Sequence, residues 1–192
     1  MTIYTLRVEL APNPPMFDPD EGEEVWCDIE VDETHTLEEL HEAIFEAFDR
    51  WDAHMYEFMT YDEDGIATRS YAMPETYEGE PSWPAMEPEQ IERAISQVGA
   101  DDASEDAKER FRDLQRNPPK EDNSGETTIA DLNPTELGWI YYQFDFGDSW
   151  EHVITIEDSR EGSLNGDPQD RRDTRPDSTT IPRSCRVTVA HP

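Results

Sequence analysis

The sequence predicts an α+β fold, in which hairpins build a mixed or antiparallel sheet of four or five strands and one helix packs on it, in a β-grasp-like arrangement. Two observations carry this prediction. Residues 141–157 place aromatic and β-branched runs on both sides of a Gly-Asp-Ser turn, which is typical of a β-hairpin. Apolar residues recur at helical spacing over 37–48. A two-sheet roll with an orthogonally packed last hairpin is the alternative architecture.

The first elements of the chain are two alternating strands followed by the helix. Residues 3–10 and 25–31 alternate apolar and polar side chains, so we expect them to pair across a proline-rich connection. Thr36 with Glu39 three residues later forms a capping box, which predicts the start of the helix. The helix is expected to end near residue 50, with Trp51 covering its exit.

A second hairpin and an acidic segment follow. Residues 54–59 and 66–70 are expected to pair around an Asp-Glu-Asp-Gly turn. Prolines and acidic residues then dominate residues 71–126, with amphipathic helices predicted at 88–98 and 102–116. Their apolar stripes are thin, so we interpret this region as a helical acidic insertion on the surface of the domain.

The last predicted hairpin is the most informative segment. Its alternation places Phe144 and Phe146 on one face of the first arm, and Trp150 and His152 on one face of the second. The chain then becomes polar over about 158–192. We therefore expect a single domain spanning residues 1–192, with the insertion and this polar segment added to it.

The charge of the chain limits its environment and its partners. Acidic residues number 47 against 15 basic ones, for a net charge of −32. Such an excess predicts a high-salt cytoplasm, where the Debye length falls to about 3 Å at 1 M salt and screens self-repulsion. No cluster of Lys and Arg with interleaved aromatics is present, so direct nucleic-acid binding is not expected. Apolar runs are too short for a membrane span and no leader motif precedes the first strand, which predicts a soluble cytoplasmic protein.

Nine residues of the last hairpin resemble a known family. The segment 144–152 reads Phe-Asp-Phe-Gly-Asp-Ser-Trp-Glu-His. It is similar to the Tyr-Asp-Phe-Gly-Asp-x-Trp-x-His signature of the plasmid ORF-three-like domain family, which is named from an Ri plasmid and found also among mobile-element passenger proteins. Other family motifs follow the same order: Ile3-Tyr4-x-Leu6, Thr36-Leu37-x-x-Leu40-His41-x-x-Ile44, Phe48-x-x-Trp51-x-x-His54-x-Tyr56-x-Phe58 and Thr128-Ile129-Ala130-Asp131-Leu132. The resemblance covers most of the chain outside its middle and its C-terminal segment.

The resemblance implies a fold and a set of positions, and it implies no reaction, because the family is largely uncharacterised. Many members end with a Pro-Pro-Glu-Asp-Cys-Gly-Gly stretch that this sequence lacks, so any role of that stretch does not transfer. Seven positions form the candidate binding cluster: His41, Trp51, His54, Asp145, Asp148, Trp150 and His152.

Two functions fit this cluster. Its aromatic residues are typical of interface anchors, so the first hypothesis is a non-catalytic module that binds another protein and needs no cofactor. Ser149 lacks the strand-to-helix elbow of a serine hydrolase. The alternative is a metal-binding protein or metal-dependent hydrolase, with His54, Asp145, Asp148 and His152 as ligands at the hairpin tip. In a third, structural interpretation, Asp148 holds the His152 imidazole in a buried hydrogen bond. Whether the chain is an enzyme stays open, with the balance against it.

Overall fold

A computed structural model of the chain describes residues 1–14, 17–18, 24–81, 83–97 and 104–164, together with the backbone of 183–184. Within these ranges eight strands form one sheet: β1 Thr2–Leu10, β2 Trp26–Asp32, β3 Tyr56–Tyr61, β4 Ala67–Ala72, β5 Asp122–Asn123, β6 Trp139–Phe144, β7 Trp150–Glu161 and β8 Arg183–Ser184. Three helices accompany it: α1 Leu37–Ala47, α2 Pro88–Gln97 and α3 Glu105–Arg116. None of the helices in the described part of the chain has the length and apolar character needed to cross a bilayer.

The sheet confirms the α+β class and changes its detail. The strand order is β5-β4-β3-β6-β7-β1-β2-β8, and all pairs run antiparallel except β4 with β5. This sheet is larger than the four or five strands expected of a β-grasp-like arrangement. The β6–β7 hairpin lies in the middle of the sheet, between β3 and β1, so the two-sheet roll was wrong.

Helix α1 covers one face of the sheet, and local chemistry fixes where it starts. The Thr36 hydroxyl accepts a hydrogen bond from Glu39 N at 3.2 Å, and the Glu39 carboxylate accepts one from Thr36 N at 2.8 Å. Leu37 and Leu40 are fully buried and face the core. The helix ends at Ala47, three residues before the expected position, because Asp49 takes a left-handed backbone conformation at φ 53°.

Two backbone hydrogen bonds close the described part of residues 71–126, the segment predicted to be an insertion and called the insertion below. Met86 N donates to Gln115 O at 2.9 Å, and Glu121 N donates to Glu80 O at 2.9 Å. Helix α3 begins behind the Ser104 cap. The predicted end of the first insertion helix and the predicted start of the second lie outside the described residues.

The last long strand extends further than the sequence pattern indicated. The polar segment was expected to begin near 158, yet β7 continues to Glu161 and pairs with Thr2 of β1. Backbone hydrogen bonding in an antiparallel pair does not depend on apolar side chains, which is why polarity alone misplaced this boundary.

Candidate functional site

The turn of the β6–β7 hairpin is built around the Asp145 side chain. Asp145 has a left-handed backbone at φ 56°, and its Oδ1 accepts hydrogen bonds from Gly147 N at 3.0 Å and Asp148 N at 3.4 Å. A carboxylate of this kind replaces the missing backbone partners of a tight turn. The left-handed residue also breaks the strand alternation, so Phe146 is 44% exposed and does not share the buried face of Phe144. The expected common face was therefore wrong at Phe146.

Two distant segments hold this turn in place. Asn13 Nδ2 donates to Asp148 O at 2.8 Å and to Ser149 O at 2.6 Å. On the other side, Asp145 N donates to Met55 O at 3.0 Å. Asn13 was not among the predicted site residues, because a lone asparagine among prolines carries no signal for a contact with residues so far along the chain. These bonds fix the position of the hairpin tip relative to the segment before β3.

His54 joins the same segment to the tip. Its Nε2 lies 2.9 Å from Asp52 Oδ2 and 3.5 Å from Asp145 Oδ2. The His54 side chain is 40% exposed, whereas that of Asp145 is 17% exposed. The arrangement brings two of the predicted site residues together at the surface, with a second carboxylate beside them.

Three large apolar side chains are exposed on the segments that make these contacts. Trp51 is 89% exposed, Met55 is 48% exposed and Phe146 is 44% exposed. Trp51 was expected to cover the exit of the helix, and its exposure shows that this was wrong. We call Trp51, Met55 and Phe146 the tip patch, because they belong to the two segments that meet at the Asp145 turn.

His41 lies beneath the tip, on the inner side of α1. Its ring stacks on Tyr56 with centroids 3.8 Å apart, and its Nδ1 lies 2.8 Å from the Tyr142 hydroxyl. Burial lowers the pKa of His41 to about 4. The imidazole is therefore neutral at physiological pH, and its hydrogen-bond partner is a residue of β6.

His152 is buried more completely than His41. It is 1% exposed, and neither ring nitrogen has a hydrogen-bond partner within the described residues. Its ring centroid lies 4.9 Å from that of Phe48, in a T-shaped arrangement, and 5.2 Å from that of the tilted Tyr142 ring. Burial, with a further contribution from the Arg50 charge, lowers the pKa of His152 to about 3. The buried pair of His152 with Asp148 was thus wrong.

Arg50 connects the end of α1 to the β6–β7 residue pair next to the hairpin turn. Its guanidinium carbon lies 4.1 Å from the centroid of the Trp150 ring and 5.8 Å from that of Phe144. Trp150 was predicted as a site residue, and it is held here as the partner of a cation. Arg50 was missed, although it is a cation at a helix exit in a chain with few basic residues, and that combination could have drawn attention to it.

The four proposed metal ligands do not converge. His54 and Asp145 meet at the surface, whereas His152 lies in the core between Phe48 and Tyr142. Across the described ranges, no group of three His, Cys, Asp or Glu side chains is arranged to hold a metal ion. The geometry gives the metal hypothesis less support than the sequence did.

Comparisons with known proteins place the chain in a family and give it no activity. No curated protein matches it. Among solved structures it is similar to a protein of unknown function from Methanosarcina mazei Go1, with a TM-score of 0.53 and 17% identity over 86% of this chain. The chain spans 65% of that protein's length, and at this identity the likeness shows the fold alone. A family model described as plasmid pRiA4b ORF-3-like protein matches residues 2–169. The chain therefore belongs to the plasmid pRiA4b ORF-3-like family, as the motif of its last hairpin predicted.

Proposed function

We propose that this chain is a non-catalytic protein-interaction module, adapted to a high-salt cytoplasm, that binds its partner through the tip patch. The observation that supports it is the exposure of Trp51, Met55 and Phe146 on two segments fixed to each other by hydrogen bonds. Large apolar side chains on a rigid support are typical of interface anchors. We treat residues 1–192 as one domain whose acidic insertion is an addition to this module.

The chemistry around the tip patch indicates which partner fits. Asp49, Asp52, Asp145 and Asp148 lie in the same two segments, in a chain with a net charge of −32. A partner segment with an apolar anchor flanked by Arg or Lys would match both properties. In concentrated salt only charges in direct contact interact strongly. The apolar anchors then supply the affinity, and the carboxylates select against acidic partners.

The polar groups near the tip support a non-catalytic role. Ser149 Oγ accepts a hydrogen bond from Gln143 Nε2 at 2.8 Å and donates one to Glu151 Oε1 at 3.2 Å. Neither neighbour is an imidazole that could act as a general base on this hydroxyl. The two buried imidazoles, His41 and His152, are held as neutral groups in the core.

A peptide-display selection tests the proposal. The full chain is used as bait in concentrated KCl, and the selected peptides are then measured against Trp51→Ala, Phe146→Ser and the control Tyr77→Ser. Tyr77 is also exposed, at 40%, but belongs to the insertion. We expect basic peptides with an aromatic or Leu anchor, bound at least about tenfold more weakly by either tip variant. Equal binding to the tip variants, or acidic peptides, would overturn the proposal.

The high-salt part of the proposal has its own test. Self-repulsion among 47 acidic residues should destabilise the native state when salt is removed. Thermal unfolding is followed at increasing KCl, with sucrose at matched osmolarity as the control for excluded-volume effects. A melting temperature that rises with KCl but not with sucrose supports the adaptation, and a melting temperature independent of KCl contradicts it.

A further inference from the structure

A cavity of about 560 Å³ lies between the insertion and the sheet, on the face opposite α1. In β3 the core residue Phe58 points toward α1, so the alternation turns Met59 and Tyr61 to the other face, where both line this cavity. Trp83, Met86 and Phe111 of the insertion form the facing wall. The volume falls in the range of about 300–1,000 Å³ that is usual for small-molecule sites.

The walls of the cavity are held by contacts that do not depend on what fills it. The Met86 N to Gln115 O hydrogen bond, 2.9 Å long, ties the loop before α2 to the end of α3. Arg110 of α3 pairs with Asp64 at 2.6 Å and with Asp62, both in the β3–β4 turn. The cavity is therefore a preformed space, and the insertion is the element that creates it.

The lining of the cavity disfavours the binding of a charged ligand. It consists of apolar and aromatic side chains with two glutamines, and it contains no acidic or basic residue among the described positions. Burying an ion there without a partner would be strongly unfavourable. An uncharged ligand with a flat apolar body matches the aromatic and methionine walls.

Two polar groups of the lining have no partner among the described residues. Gln115 is 9% exposed and lines the cavity, and its side-chain amide makes no hydrogen bond to the other described residues. The Trp83 Nε1 of the same wall is also buried without a partner. A buried donor left unpaired, such as Trp83 Nε1, costs about 1–3 kcal/mol, and the Gln115 amide in the same lining can pair with a bound ligand. A glutamine amide offers both donors and an acceptor, and a ligand amide complements it.

We propose that this cavity is a binding site for an uncharged aromatic small molecule that carries one amide-like group, with Gln115 recognising that group. The site lies between the insertion and the sheet and shares no residue with the tip patch. The proposal therefore does not depend on the protein-interaction function.

Three probes that share a naphthalene ring test the proposal on the full chain. 2-Naphthamide carries the ring and the amide, 2-naphthoate replaces the amide with a charge, and naphthalene has neither group. Binding is followed by NMR through the methyl signals of Met59 and Met86. We expect 2-naphthamide to shift both signals, with naphthalene about tenfold weaker and 2-naphthoate weaker still.

Variants separate the amide contact from the cavity itself. Gln115→Leu keeps the size of the side chain and should remove the preference for 2-naphthamide over naphthalene, whereas Gln143→Leu, outside the cavity, should leave it unchanged. Ala67→Phe should fill the space and abolish the binding of both. The proposal is overturned if no probe shifts the methyl signals, if 2-naphthoate binds as tightly as 2-naphthamide, or if Gln115→Leu retains the preference.

Discussion

The two faces of the sheet are closed by different means. On the α1 face, fully buried residues such as Phe58, Leu40 and Ile154 fill the space between helix and sheet. On the opposite face, beside β3 and β4, the insertion leaves a cavity of about 560 Å³ and is anchored to the sheet by the ion pairs of Arg110. The first face stabilises the fold, and the second has space that the fold does not require. We expect mutations to separate these roles.

Neighbouring residues of β3 give the largest contrast. Phe58 is 0% exposed and faces α1, whereas Met59 lines the cavity. We expect Phe58→Ala to lower the free energy of unfolding by about 3–5 kcal/mol, because it leaves a void in a packed core. Met59→Ala should cost less than about 1.5 kcal/mol, because one side of this side chain already faces empty space. Urea unfolding at fixed KCl measures both. Similar costs for the two variants would contradict the comparison.

On the α1 face, the buried His152 should make the free energy of unfolding depend on pH. The folded pKa of His152 is lowered to about 3, below its usual 6.5, so the unfolded state binds more protons as the pH falls. The stability contributed by neutral His152 is complete above pH 6.5 and is lost progressively as the pH falls toward 3. Between pH 6.5 and 4.5 the loss is about 2–3 kcal/mol.

The variant His152→Leu isolates this contribution, because the carboxylates and His41 still titrate in it. The groups that act on His152 belong to Arg50, Tyr142, Trp150 and Phe48, and all four residues are retained. Between pH 6.5 and 4.5, we expect the unfolding free energy of the variant to depend less steeply on pH than that of the unchanged protein. Parallel curves for the two proteins would show that His152 does not titrate as described.

The helix caps give a third, smaller contrast. Thr36 caps α1, and Ser104 caps α3 by accepting a hydrogen bond from Ala107 N at 3.1 Å. Thr36→Ala should lower the global unfolding free energy by about 1 kcal/mol. Ser104→Ala should lower it by less, because the insertion can open without unfolding the sheet. Hydrogen exchange should then show faster exchange confined to α3 in the second variant. Equal losses in global stability would mean that the insertion and the sheet unfold as one unit.

The sequence predicted what local chemistry determines. Thr36 with Glu39 gave the helix start, and the alternation around Ile154 gave the central hairpin. The predictions that were wrong depended on contacts between residues far apart in the sequence, or on the conformation of one backbone residue. His152 lacks the expected partner because Phe48 and Tyr142 enclose it, and Phe146 is exposed because Asp145 turns the chain with a positive φ. Apolar periodicity reports which face of an element is buried, and it does not report what packs there.

The two candidate sites differ in how much of each can be predicted from the sequence. Trp51, His54 and Asp145 were identified because they belong to a family motif, and the structure adds that their two segments touch. The cavity was not predicted, since its walls come from β3, the loop before α2, and α3. A void between elements leaves no trace in the periodicity of any one of them. The cavity is found only from the three-dimensional structure, which places Trp83 and Phe111 in the same wall.

The smallest effect concerns the ion pairs that anchor the insertion. Arg110 is 48% exposed and pairs with Asp64 at 2.6 Å. We expect Arg110→Gln to cost less than about 1 kcal/mol in dilute salt and nearly nothing in concentrated KCl, where exposed pairs are screened. The control Arg116→Gln removes pairs within α3 only. If the anchor shapes the cavity, Arg110→Gln weakens 2-naphthamide binding severalfold more than the control does, although stability hardly changes. Equal binding by the two variants would show that the ion pairs neither hold the fold nor shape the site.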